Sequence, residues 1–174
     1  MSEKNGSPIQ GKAWKFGKNI DTDAIIPARR CNTADPAELA KFCMEDADPE
    51  FVIKMSAGDL IVAGSNFGCG SSREVAPLSI KAAKVSAVVA ESFARIFFRN
   101  AINIGLPIFE SPEAAKAIEE GDEITVDPAS GEIRNLTKDE LYQAAPFPDF
   151  LQNIIDKGGL LPYVEDRLAA EEQS

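Results

Sequence analysis

The chain has 174 residues, 44% apolar and 26% charged, enough for one domain with a packed core and typical of ordinary globular proteins. Its formal charge of −10 argues against a nucleic-acid partner, whose phosphates are bound by clustered cations. Histidine is absent and the cysteines, Cys31, Cys43 and Cys69, form no CxxC, so Ser-His-Asp triads, Cys-His dyads, a zinc site and a disulfide framework are not indicated.

The first residues lack the apolar run of a secretory signal, and residues 1–11 are expected to form a flexible N-terminus. Residues 13–16 read as a first strand, followed by the polar turn Gly17-Lys18-Asn19 and by Ile20-Asp21-Thr22-Asp23, which leads into Ile25-Ile26-Pro27. Residues 28–35 read as a loop. Asp35-Pro36 looks like an N-cap with proline at the first position of a helix reaching about Met44, with Cys43 on its apolar side. Residues 60–63 form a short apolar strand that runs directly into Gly64-Ser65-Asn66-Phe67-Gly68-Cys69-Gly70-Ser71-Ser72-Arg73.

A helix follows to about Lys84, then a β-branched strand over 85–90 and a helix over 92–104 stopped by Gly105. The stretch 85–98 is the richest in apolar residues, but Glu91 and Arg95 interrupt it well short of the roughly 18 residues of a membrane helix. A strand over 106–109 and a helix over 112–120 come next. Residues 123–126 and 132–136 pair across the turn Asp127-Pro128-Ala129-Ser130-Gly131. Residues 147–157 form a helix closed by Gly158-Gly159, residues 160–168 a short helical turn, and residues 169–174 a frayed polar tail. Strands alternating with helices, then a hairpin, predict one α/β domain over 12–168, with a mainly parallel sheet flanked by helices plus a β-hairpin. A soluble cytoplasmic protein is expected.

The glycine-rich segment carries the chemistry. Gly64, Gly68 and Gly70, between a buried strand and a helix, allow the backbone to approach a ligand closely and aim N–H groups at it. It is not a P-loop, because no GK[ST] closes it. It is not a dinucleotide fingerprint either, because Arg73 stands where the third glycine belongs, and no GxSxG elbow is present. Two serines and an arginine remain at the start of a helix, where negative charge is stabilised. A capping box, with Ser71 as cap and Glu74 reaching back, would explain them without any function. That register puts Pro77 beyond the first turn, at a cost on the order of 3 kcal/mol, whereas a helix starting nearer Arg73 or Glu74 tolerates Pro77 and frees Ser71. Both readings stay open on these grounds.

The string Gly68-Cys69-Gly70-Ser71-Ser72-Arg73-Glu74, with Asn19-Ile20-Asp21-Thr22-Asp23 before it and Ser92-Phe93-Ala94-Arg95-Ile96 after it, resembles the swivel domain of aconitases. The elements match in order over about residues 12–165, and the length is similar to the separate small subunits of isopropylmalate isomerases, homoaconitases and related hydro-lyases. The resemblance implies a β/β/α swivel-type fold. It also implies a large-subunit partner, in a heterodimer or heterotetramer, that carries a [4Fe–4S] cluster on three cysteines, this chain binding neither cofactor nor metal. The substrate class is a small dicarboxylate or tricarboxylate.

The same resemblance makes Ser71 the base that removes a proton beside a carboxylate, Ser72 part of an anion nest, Arg73 a carboxylate clamp, and Asp23 an orienting group near the site. Arg95 and Arg99 share a helix face and read as solvated or salt-bridged. One departure touches specificity. After Ala28-Arg29 the relatives carry a Tyr-Leu loop that reads the substrate's variable side chain, and here the sequence is Arg30-Cys31-Asn32-Thr33. Arg30, Asn32 and Thr33 are therefore candidates to touch substrate: either Arg30 and Asn32 offer donors where an isopropyl group prefers apolar neighbours, or both side chains turn outward into water, and the two readings stay open. Isopropylmalate is the first expectation, with homoaconitate or methylated malates as alternatives. A non-catalytic binding or regulatory module is the alternative of another class, and the presence of Ser71, Ser72 and Arg73 together speaks against it.

Overall fold

The computed structural model describes residues 7–173 and contains one sheet. Its strands are β1 (Ile9–Lys15), β2 (Leu60–Ala63), β3 (Ala87–Ala90), β4 (Ile108–Glu110), β5 (Glu123–Val126), β6 (Glu132–Asn135) and β7 (Glu140–Gln143), in the spatial order β4-β3-β2-β1-β5-β6-β7. β1 to β4 are parallel, with Ala13 opposite Leu60, Leu60 opposite Ala87 and Val88 opposite Ile108. β1 joins the two halves, since Ile9 to Lys12 run antiparallel to β5 while Ala13 to Lys15 pair with β2.

The central strands LIVA and AVVA are buried at every position, as strands covered on both faces require. Because side chains alternate, Ile61, Ala63, Val88 and Ala90 enter one core while Leu60, Val62, Ala87 and Val89 enter the other. The first core is roofed by α4 (Val75–Ala82) and α5 (Arg95–Asn103) through Ala76, Ile80, Phe97 and Ile102. The second is closed by α6 (Pro112–Ala117) through Ala114 and Ala115, and by Phe109, Ile124 and Ile133.

The remaining helices are α1 (Thr22–Ile25), α2 (Pro36–Ala40), α3 (Phe51–Lys54), α7 (Asp149–Asp156) and α8 (Leu160–Glu172). Asp35 caps α2 by accepting from Ala37 N, with Pro36 at its first position, and Ser111 caps α6 in the same way. No helix among the described residues is long and apolar enough to cross a membrane.

Four expectations need correction. β1 begins at Ile9, so residues 9–11 belong to the sheet and not to a flexible terminus; residues 1–6 of that expected terminus lie outside the described residues. A polar strand, β7, extends the hairpin, and three of the six strand pairings are antiparallel. α8 replaces the short helical turn and frayed tail with thirteen helical residues, Ser174 lying outside the described residues. Its run of Leu, Ala, Glu and Arg favours a helix even though none of its side chains is buried, and Pro162 falls in its first turn, where no intrahelical N–H bond is lost. Finally, α2 stops at Ala40 rather than near Met44, whose backbone takes a positive φ of 62°.

Candidate active site

The loops that leave the carboxyl ends of β1, β2 and β3 are laced together, and the glycine-rich segment lies in the middle. On the β1 side, Asn19 N donates to Ser65 O (2.8 Å), Gly68 N to Ile20 O (2.7 Å) and Thr22 N to Cys69 O (2.9 Å). On the β3 side, Asn66 N donates to Ser92 Oγ (2.9 Å), Phe67 N to Ser92 O (3.1 Å) and Ala94 N to Phe67 O (3.0 Å). Ser92 and Ala94 are thus committed to the turn, and so α5 starts at Arg95 rather than Ser92. Gly68 has a positive φ of 82°, and a Cβ there would lie 2.2 Å from the Phe97 ring, so only glycine lets the turn rest on α5.

These contacts leave Gly70, Ser71 and Ser72 on the surface. α4 begins at Val75, and its cap position, Glu74, makes no side-chain capping bond. The capping box does not form: the Ser71 carbonyl accepts from Arg73 N (2.8 Å), and Pro77 occupies the third helical position, inside the first turn. Among the described residues, neither serine hydroxyl has a hydrogen-bond partner, and the backbone N–H groups of Gly70, Ser71 and Ser72 have no acceptor.

Arg73 turns toward the β1 loop. Its Nη1 donates to Asp23 Oδ1 and to the Ile26 carbonyl (3.3 Å), and the Asp23 bond is the main cause that raises its guanidinium above the ordinary arginine value. Asp23 is aimed by α1, a single turn capped by Asp21, whose Oδ1 accepts from Ala24 N (2.7 Å). Arg73 and Asp23, far apart in sequence, are thus brought together, and Ser71 and Ser72 lie exposed on the segment just before Arg73.

The loop at Arg30-Cys31-Asn32-Thr33 is organised differently from the expectation of free donors. Arg30 is bound at both edges of Glu45, Nε to Oε2 (3.1 Å) and Nη2 to Oε1 (2.9 Å), while its guanidinium lies 3.8 Å from the centre of the Phe42 ring. Its charge is thus paired within the chain by the two-pronged bond to Glu45. Thr33 Oγ1 accepts from Asp35 N (3.1 Å), and Asn32 is exposed. Sequence reasoning missed Glu45 and Phe42. The adjacent acids Glu45-Asp46 matched against the adjacent Arg29-Arg30 were the available signal, since Arg29 also pairs with Asp46 (2.7 Å).

The thiols do not form a ligand set. Cys43 is fully buried and burial pushes its thiol up to about 12; Cys31 Sγ donates to the Pro27 carbonyl (3.4 Å); Cys69 is a backbone partner of Thr22. No three His, Cys, Asp or Glu side chains converge as metal ligands among the described residues. Arg95 and Arg99 are exposed on α5.

Residues 18–113, which span the whole constellation, match the aconitase C-terminal domain family. The chain belongs to the aconitase family. Within that family it is 67% identical over 156 residues to the 3-isopropylmalate dehydratase small subunit of Moorella thermoacetica, covering 90% of this chain and 94% of the relative. It is 60% identical over 164 residues to that of Thermodesulfovibrio yellowstonii, covering 94% and 98%. The crystal structure of 3-isopropylmalate dehydratase from Methanocaldococcus jannaschii matches it with a TM-score of 0.92 at 42% identity, over 96% of this chain and 99% of that one. The α/β architecture expected from the aconitase resemblance is the one found, with the strand additions noted above.

Proposed function

We propose that this chain is the small subunit of a 3-isopropylmalate dehydratase-type hydro-lyase. It interconverts 2- and 3-isopropylmalate by dehydration and rehydration, in leucine biosynthesis and in the cytoplasm, together with a large subunit that holds a [4Fe–4S] cluster. The observation that carries the reading is the exposed Ser71 hydroxyl, free of any cap, beside unpaired N–H groups and an arginine already oriented by a carboxylate.

Among the described residues no side-chain set fits a cluster, since Cys43 is buried and the cysteines do not converge; a cluster held by the large subunit would supply a Lewis acid for the departing hydroxyl. Here Ser71, as alkoxide, takes the proton from the carbon beside a substrate carboxylate. The electron pair of that C–H bond becomes the double bond as hydroxide leaves the adjacent carbon. Hydroxide then adds to the carbon that lost the proton, and the Ser71 hydroxyl gives its proton to the carbon that lost hydroxide, which completes the isomerisation and restores the alkoxide. With no histidine to activate it, the alkoxide relies on fixed donors: the N–H groups of Gly70 to Ser72 form the nest, and Arg73 places a cation nearby. Arg73 holds a substrate carboxylate by its planar fork, and Asp23 keeps that fork turned toward the site. Because Arg30 is consumed by Glu45, the loop offers no free cation to a second side-chain carboxylate, which favours the isopropyl substrate over homoaconitate.

Anaerobic reconstitution tests this. The purified chain alone should be colourless and inactive, and isomerase activity should appear on adding the iron–sulfur large subunit. Activity of the chain alone, or none with the partner, would refute the reading.

A further inference from the structure

The short turn Ala28–Arg30 follows the buried Pro27, and the two arginines it carries are met by two acids from the turn beyond α2. Arg29 spans Asp46 (2.7 and 3.2 Å) and Glu45 (3.3 Å). Arg30 is held more completely, by the bidentate bond to Glu45 on its edge and the Phe42 ring against its face. Such a geometry uses the planar fork in the way it binds best, and lysine could not reproduce it. The Arg30 clamp is part-buried and bidentate, a geometry that fixes the side chain in one place more than it adds stability.

The position of the turn matters for that reason. Arg73 Nη1 donates to the Ile26 carbonyl (3.3 Å), one residue before Pro27. The turn that carries Arg30 therefore borders the arginine assigned to the substrate carboxylate. A guanidinium on this turn without its partners would be a mobile cation at the edge of the site, able to recruit an additional carboxylate.

We propose that Glu45 is a positioning residue for substrate choice: with Phe42 it holds Arg30 out of the site, so that the loop meets the substrate's variable side chain without a free charge. The proposal rests on the hydro-lyase reading. It also separates two effects that a structural strut would merge. Glu45→Gln and Arg30→Gln break the same ion pair, but only the first releases a cation.

The test uses the holoenzyme reconstituted with its large subunit and compares kcat/KM for isopropylmalate and homoaconitate. Glu45→Gln should lower the preference for isopropylmalate by about tenfold, the scale on which a single pocket contact discriminates. Arg30→Gln, and Arg30→Gln added to Glu45→Gln, should both leave the preference within about twofold of the parent, because neither leaves a free guanidinium on the turn. Both single variants should lose similar, small amounts of thermal stability. In the small subunit alone, the Arg30 Nε–H resonance should exchange slowly with water and become fast in Glu45→Gln. Equal changes of preference in the two single variants, no change in either, or a fast-exchanging Nε–H in the parent would each overturn the proposal. A parent holoenzyme that converts neither substrate would instead sink the hydro-lyase reading, whatever the Nε–H resonance shows of the clamp.

Discussion

Replacing Gly68 and Gly70 by alanine, one at a time, separates two physical demands on the glycine-rich turn. Both glycines have positive φ, 82° and 95°, so either alanine carries the left-handed backbone penalty of roughly 1–2 kcal/mol. Their surroundings differ. A Cβ at Gly70 would meet nothing nearer than 3.6 Å, whereas at Gly68 it would lie 2.2 Å from Phe97 Cγ. Phe97 is buried, 5.2 Å from Phe67 and 6.1 Å from Phe93 between ring centres, and cannot swing away freely. Gly68→Ala should therefore cost about 1–3 kcal/mol more than Gly70→Ala, the usual range for overpacking. In a domain of this size that is roughly 2–12 °C of Tm. Urea or thermal unfolding of the isolated chain measures the difference. Phe97→Leu should relieve part of the excess for Gly68→Ala and none of the cost of Gly70→Ala. Equal costs for the two alanines would refute the packing argument.

Arg73→Lys should raise KM and lower kcat together, each by about tenfold or more, because an ammonium cannot form the two-pronged carboxylate bond; steady-state kinetics of the reconstituted enzyme checks this. The Cys43 thiol keeps its proton up to about 12 in the fold, against 9.0 ordinarily. Above pH 9 the unfolded chain binds fewer protons than the native one, so stability is complete below 9 and falls by about 1.4 kcal/mol per pH unit until about 12. Comparing unfolding at pH 8 and pH 10 should show this loss in the parent and a smaller one in Cys43→Ala, and Cys43 should resist iodoacetamide until the protein unfolds.

Local signals carried the architecture where burial was complete or a cap was explicit. β2 and β3 read as unbroken apolar runs because both of their faces are covered, and Asp35-Pro36 announced α2 by its chemistry. β7 did not announce itself, since ELYQ is a polar edge strand whose place depends on its pairing with β6. α1 is a single turn whose cap, Asp21, resembled any acidic turn residue, and α8 has no buried face to impose a period.

The site divides in the same way. Ser71, Ser72 and Arg73 are contiguous and visible as a motif, and Pro77 already argued for the helix register that frees Ser71. The Asp23–Arg73 and Arg30–Glu45 pairs join segments that only the fold brings together. Arg30 consequently looked like a free cation, although Glu45 pairs its charge.

The central claim is that Ser71 performs proton transfer, and the Ser71→Ala variant tests it most directly when kinetics and stability are measured on the same preparation. The account predicts that kcat falls by on the order of 10²-fold or more with KM little changed, while the unfolding free energy stays within about 0.5 kcal/mol of the parent. A loss of about 1 kcal/mol in stability with kcat intact, the behaviour of a helix cap, would contradict it.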